Sequence, residues 1–95
     1  MANIRTIYTY IHAAMERQGY DHVHLLIGAL KVSSAKFHGW KAGRTKISDA
    51  DVIKLAELAG MDPHLAVIDA AIWRAEGKPH YKILVETAEI IQSAA

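Results

Sequence analysis

Apolar positions recur along this chain at the spacing of helices. Ile4, Ile7, Tyr8, Ile11 and Met15 stand at i, i+3, i+4, i+7 and i+11, one stripe of an amphipathic helix, and Gly19 is placed to stop it. Val23–Leu30 reads as a second, short helix. Ser33 or Ser34 can cap a third, running to about Lys41 with Gly43 as its stop. A fourth begins at Ser48, with Asp51 three residues on in the manner of a capping box and Ile47 and Val52 placed as a hydrophobic staple. Val52, Leu55, Ala56 and Ala59 form its inward face, and Gly60 ends it. Asp62-Pro63 restarts the chain with proline at the first helical position, where its missing N–H costs nothing. Leu65, Ile68 and Ile72 are the stripe of this fifth helix and Gly77 its close. Pro79 opens a last helix with Ile83, Leu84, Ala88 and Ile91 inward. Val, Ile and Thr nowhere alternate with period two, so no strand is expected.

The predicted fold is therefore all-α, a compact bundle of five to six helices. Its 95 residues suit one domain, without internal repeats or a linker long enough to divide it. Within it, residues 1–62 form a core and 63–95 a helical extension. Composition supports a packed interior: 52% of residues are hydrophobic, and only two are proline. The absence of cysteine excludes a disulfide scaffold, thiol catalysis and Cys-type zinc or iron–sulfur sites. The longest uncharged stretches, such as Thr6–Met15 and His22–Leu30, fall far short of a membrane span, and Thr6–Met15 makes a poor signal-peptide core. A cytoplasmic protein with no membrane partner is expected.

Charge changes this picture. The net charge is only +1, but Lys31, Lys36, Lys41, Arg44 and Lys46 fall in one window, Lys31–Lys46, that holds no Asp or Glu. That window carries +5 and the remainder −4. A cationic segment of this kind attracts phosphates, although a solvated surface alone also accounts for such a cluster. It coincides with the third helix, where Phe37 and Trp40, three apart, share a face that joins Leu26, Leu30 and Val32 in a buried set. Ser34, Ala35, Lys36, His38 and Lys41 are then left outward, a polar and cationic surface suited to a major groove.

The stretch Val32-Ser33-Ser34-Ala35-Lys36-Phe37-His38-Gly39-Trp40-Lys41-Ala42-Gly43 resembles the recognition-helix segment of Cro/repressor-type (XRE-like) helix-turn-helix proteins. Leu26-Ile27 stands where that family has Leu-Ala in the preceding helix. Ile47–Pro63, with Leu55-Ala56-Glu57-Leu58-Ala59-Gly60-Met61-Asp62-Pro63, resembles its fourth helix and following loop. The resemblance spans roughly Ile4 to Pro63, and the remainder is similar to the helical tail of small phage-related members. Two positions depart from the pattern: Ile27 replaces a small Ala at the closest helix approach, and Lys31 replaces the turn Gly, whose φ is often positive.

The resemblance implies a lambda-repressor-like fold and a sequence-specific double-stranded DNA-binding transcriptional regulator of phage or prophage type, nucleoid-associated in the cytoplasm, that reads the major groove with helix 34–41. Base contacts fall to Ser34, Ala35, Lys36 and His38, with Gly39 allowing close approach. Lys36 would donate to guanine and Ala35 meet a thymine methyl. Phosphate contacts fall to Lys41, Arg44 and Lys46, aided by backbone N–H groups of the Gly43–Lys46 loop. The alternative is the same scaffold as a protein-interaction module for a host regulator or RNA polymerase.

A second copy is expected, because one recognition helix reads few base pairs. In the last helix Val85 and Ile90 fall off the main stripe, and Trp73 lies off the stripe of the fifth. A homodimer built from Trp73, Ile83, Val85 and Ile90 follows, with closure of the monomer core by this helix as the rival account. No cofactor or metal is expected: His22 and His24, two apart, point to different faces of a helix, and His12, His64 and His80 lack partners at ligand spacing. The sequence also lacks the phosphate-loop, nucleophile-elbow and His-Glu-x-x-His motifs of common enzymes, and Asp49 and Asp51 suit a helix start.

Overall fold

The structure, a computed structural model, describes residues 4–94. Six helices follow one another, α1 (Ile7–Gln18), α2 (Val23–Leu30), α3 (Ser34–Ala42), α4 (Asp49–Ala59), α5 (Pro63–Arg74) and α6 (Tyr81–Ala94), and no strand occurs among the described residues. The all-helical expectation holds.

Helix starts follow the sequence signals. The Ser33 side chain accepts from the Lys36 N–H at 3.1 Å, Ser48 from Asp51 at 3.2 Å and Asp62 from His64 at 2.9 Å. Each satisfies an N–H that the helix itself leaves without a partner. The Asp62 carboxyl is held below the usual carboxylate range, first by its bond to the His64 side chain and then by the His64 backbone N–H. At α4 the reciprocal half of a capping box is missing, because the Asp51 carboxylate turns elsewhere, as described below.

Helices α1 to α4 all end the same way. The residue after each helix is left-handed, and the next N–H reaches back five residues: Tyr20 to the Met15 carbonyl, Val32 to Ile27, Arg44 to Gly39 and Met61 to Ala56. Glycine fills the left-handed position in three of them, Gly19, Gly43 and Gly60, whereas α2 uses Lys31 at φ 58°. Helix α5 differs from expectation. It ends at Arg74 with Ala75 right-handed, and Gly77 sits beyond it in the turn to α6, which starts at Tyr81 rather than at Pro79.

α1 packs on α4, α4 on α5 and α5 on α6, while α2 touches α1, α3 and α4. One core runs through the first five helices, centred on Tyr10, Leu26, Leu30, Phe37, Val52 and Leu55, with Trp40, Ile47, Ala66 and Ala70 joining it. The inward face of α4 is as expected. That of α1 is rotated by one residue: Tyr10, Ile11 and Ala14 are buried, whereas Ile4 precedes the helix and, like Tyr8, is exposed. In α5 the buried residues are Ala66, Asp69, Ala70 and Ile72, and Leu65 and Ile68 are only half-buried.

Both rotations share one cause, a buried polar cluster. Asp69 is 1% exposed and receives Arg5 in a two-pronged pair, Nε at 2.7 Å and Nη2 at 3.1 Å, plus the Tyr10 hydroxyl at 2.5 Å. Trp73 packs edge-on against Tyr10, and its Nε1 donates to the Arg5 carbonyl at 2.8 Å. With its amide turned to accept, Gln92 of α6 meets the far side of the guanidinium. A buried carboxylate needs such partners, and Tyr10 must face α5 to supply one. Burial and the Asp69 carboxylate push the Tyr10 hydroxyl well above its usual range, and the same carboxylate raises Arg5 further.

On α6, Leu84, Ala88 and Ile91 line the side toward the body of the protein, with Ala88 fully buried. Ile83, expected inward, is 65% exposed, and Ile90 is 69% exposed. These two are seven apart and share the outer face. Val85 is half-buried, as is Trp73. No helix among the described residues is long and apolar enough to cross a membrane.

Candidate nucleic-acid interface

Helices α2 and α3 are joined by Lys31, Val32 and Ser33 alone. Ile27 and Val32, the two residues bonded across this connection, both pack against the core. This apolar contact is one that commonly accompanies a left-handed closure. Lys31 itself is exposed, so its ammonium is free to face solvent.

Helix α3 anchors through Phe37 and Trp40, both buried as the spacing required, with ring centroids 5.9 Å apart. Ser34 and His38, four apart, then stand outward with Ala35 and Ala42, while Lys41, half-buried, lies at the border of this row, about 40° round the helix from Phe37. Ser34, Ala35 and His38 are exposed. The His38 ring meets the edge of Phe37 at a 5.6 Å centroid distance, and the Lys41 ammonium lies 6.0 Å from the same ring, the outer limit of a cation–π contact.

Lys36 departs from this row. At about 100° per residue it lies roughly 160° from His38 and only about 40° from Trp40. Its ammonium is 3.1 Å from the Asp51 carboxylate, which is 10% exposed. The acid expected to complete a helix cap instead ties α3 to the first turn of α4. Lys36 is half-exposed but no longer an unpaired cation.

The loop after α3 turns back onto the helix. Gly43 N–H donates to the Trp40 carbonyl at 3.2 Å, and the Arg44 and Thr45 N–H groups donate to the Gly39 carbonyl at 3.0 and 3.3 Å. These three backbone donors were expected to be available to phosphate and are not. Gly39 was expected to face a groove, but it is buried under this loop. A Cβ on it would stand 2.5 Å from the Thr45 hydroxyl oxygen, so glycine is required there by the protein itself.

Two further braces hold the region. Tyr8 donates to the Lys41 carbonyl at 2.8 Å, fixing the end of α3 to α1. Arg74 donates to the Ile47 carbonyl at 3.0 Å and to Asp49 at 2.8 Å, fixing the start of α4 to α5. None of Tyr8, Asp51 and Arg74 stood out as a site residue in the sequence, since each acts across the fold. Among the described residues Lys31, Lys41, Arg44 and Lys46 have no carboxylate partner. The structure thus brings together an exposed row of Ser34 and His38 with Ala35, sets Lys41 at its border, and places Arg44 and Lys46 on the loop folded against that helix.

The histidines differ from expectation in one respect. His22 caps α2 in an extended conformation, outside the helix, so its ring stacks on that of His24 at 5.5 Å rather than pointing away. No group of three or more His, Asp or Glu side chains among the described residues is arranged to hold a metal ion.

Comparison with protein-family models, with curated proteins and with solved structures finds no match for this chain.

Proposed function

We propose that this protein is a double-stranded DNA-binding transcriptional regulator of the helix-turn-helix type, with α3 as the helix that enters the major groove. The observation that carries this reading is the cationic segment Lys31–Lys46: four of its five cations are unpaired and exposed or half-exposed, on and around one short helix whose outer row is small and polar. Counterion release from phosphates gives such a surface affinity, and short side chains let the helix approach base edges. Ser34, Ala35 and His38 are the base-reading set. Lys41, Arg44 and Lys46 contact phosphate through their side chains, without help from the loop backbone. Lys36 positions α3 against α4, and base contact by it requires leaving Asp51.

A homodimer fits the same reading. Ile83 and Ile90 are the most exposed large apolar side chains among the described residues, one above the other on α6. A two-fold pair would present two copies of α3 to one near-palindromic site. Val85 and Trp73, half-buried, would flank that contact.

Selection of bound sequences from random duplex DNA tests the reading directly, with enrichment of a palindromic site expected. On that site, replacing Lys41, Arg44 and Lys46 by Ala lowers the slope of log affinity against log salt by up to about three, at ~0.9 per lost contact. An unchanged slope in the triple variant rejects the phosphate assignment. Failure to enrich any sequence, with no salt-sensitive binding, favours the protein-interaction module. Sedimentation of an Ile83→Glu/Ile90→Glu variant checks the dimer, since only the wild type should associate.

A further inference from the structure

Helix α6 carries more apolar surface than the rest of the protein covers. Beside its inward face, Ile83, Thr87, Ile90 and Ala94 stand at i, i+4, i+7 and i+11, the alternating four-and-three spacing of a coiled-coil seam. Ile83, Ile90 and Ala94 are exposed. Thr87 suits this seam, because its hydroxyl donates to the Ile83 carbonyl of its own helix at 2.9 Å. Its polar atom is thereby satisfied, leaving the methyl as the group to make contact. The two flanks of the seam differ. At about 100° per residue, Leu84 and Ile91 border it on the side toward the body of the protein, and both are half-buried. Glu86 and Ser93 border it on the other side, with Lys82 and Glu89 beyond them, and all four are exposed.

We propose that this seam pairs with the same seam of a second copy and that the two α6 helices run antiparallel, Ile83 opposite the partner's Ala94 and Thr87 opposite the partner's Ile90. The inference rests on the homodimer reading above and adds its direction and register. In this register each isoleucine meets a smaller residue, so that large and small interdigitate. The flanks decide the direction. In an antiparallel pair like flanks meet: Leu84 and Ile91 join their counterparts, and Glu86 comes level with the partner's Ser93, whose hydroxyl can donate to the carboxylate. In a parallel pair unlike flanks meet, which sets the Glu86 carboxylate against the partner's Ile91 and strips it of water. A parallel pair also places Lys82, Glu86 and Glu89 level with their own copies and aligns the two helix dipoles. The antiparallel pair opposes the dipoles and brings Lys82 level with the last turn of the partner helix, where free carbonyls favour a cation. A seam about 16 Å long is small for a stable dimer, so association is weak and depends on concentration.

The chain contains no cysteine, so engineered thiols are the only ones present. Glu86→Cys and Ser93→Cys, exposed positions off the seam, are mixed at about 0.5 mM and oxidised mildly, with no DNA present. The mixture should form disulfide-linked dimers at least about fivefold faster than either variant alone. Ala94→Cys alone should react no faster than by random collision, because the antiparallel register holds its two copies about 16 Å apart. Adding Ile83→Glu and Ile90→Glu to the mixed pair measures that collision rate, and circular dichroism shows that the helices persist. Ala94→Cys linking faster than the mixture means a parallel pair; it overturns the inference and leaves the homodimer standing. A dimer in sedimentation whose cysteines all react at the collision rate overturns the seam and places the contact elsewhere. A monomer at this concentration overturns the homodimer reading and the inference together.

Discussion

Replacing Lys31 by glycine should stabilise the protein, although it removes a side chain and adds none. Lys31 closes α2 at φ 58° and ψ 42°, and it is the one non-glycine residue with positive φ among those described. The left-handed conformation costs an L-residue about 1–2 kcal/mol. Glycine avoids that cost but loses roughly 0.5–1 kcal/mol through its freer unfolded chain. The side chain is exposed and unpaired, so no packing is lost with it. The net gain is about 0.5–1 kcal/mol, and the thermal midpoint of a chain this size should rise by roughly 2–8 °C. Thermal and urea unfolding followed by circular dichroism read this directly. Lys31→Ala separates the causes, because it removes the same charge and keeps the Cβ. It should give no gain. An equal gain from alanine means that relief of charge crowding, not backbone conformation, is the cause, and an unchanged Lys31→Gly refutes the strain argument outright.

Gly39→Ala should destabilise by about 1–3 kcal/mol, because the new methyl meets the Thr45 hydroxyl, and adding Thr45→Ala should recover most of it; strict additivity in the double variant would deny the contact. Asp69→Asn should cost about 3 kcal/mol by leaving Arg5 without its carboxylate, measured by urea unfolding at neutral pH; a loss under 1 kcal/mol would mean that the cluster holds little of the fold together. Stability should fall as pH rises past about 10. There an exposed tyrosine ionises while folded Tyr10, its hydroxyl raised by burial and by Asp69, stays neutral. The expected slope is about 1.4 kcal/mol per pH unit, to be compared with Tyr10→Phe, which should lack this component.

Most of the fold was legible because its signals are local. Serine, aspartate and proline at helix starts act on N–H groups two or three residues away, and glycine at helix ends acts on its own φ. Such signals place Ser33, Ser48, Asp62, Gly19, Gly43 and Gly60 without knowledge of the rest of the chain. The inward face of α4 was equally plain, since it is apolar and continuous. What failed was the phase of α1 and α5. Both turn toward a polar centre, and periodicity counts a buried Asp69 as an outward residue. The one local hint was its position three residues from both Ala66 and Ile72, on a side otherwise apolar.

The candidate site divides in the same way. That Phe37 and Trp40 are buried follows from their spacing, and the exposure of Ser34 and His38 follows from lying across from them. The place of Lys36 was also within reach of that geometry, because it stands four residues before Trp40 and so leans to the buried side. What no spacing supplies is Asp51, fifteen positions further on, as the group that receives it. The same holds for Tyr8 on the Lys41 carbonyl and for Thr45 against Gly39. Together these contacts fix α3 near its start to α4, at its middle to the following loop and at its end to α1. A helix held at three points cannot turn about its axis without breaking one of them. The outer row of Ser34 and His38, with Lys41 at its border, is therefore set before any partner arrives. On the proposed reading that α3 enters DNA, binding then requires little ordering of its backbone, and the entropic cost of recognition falls on the exposed side chains.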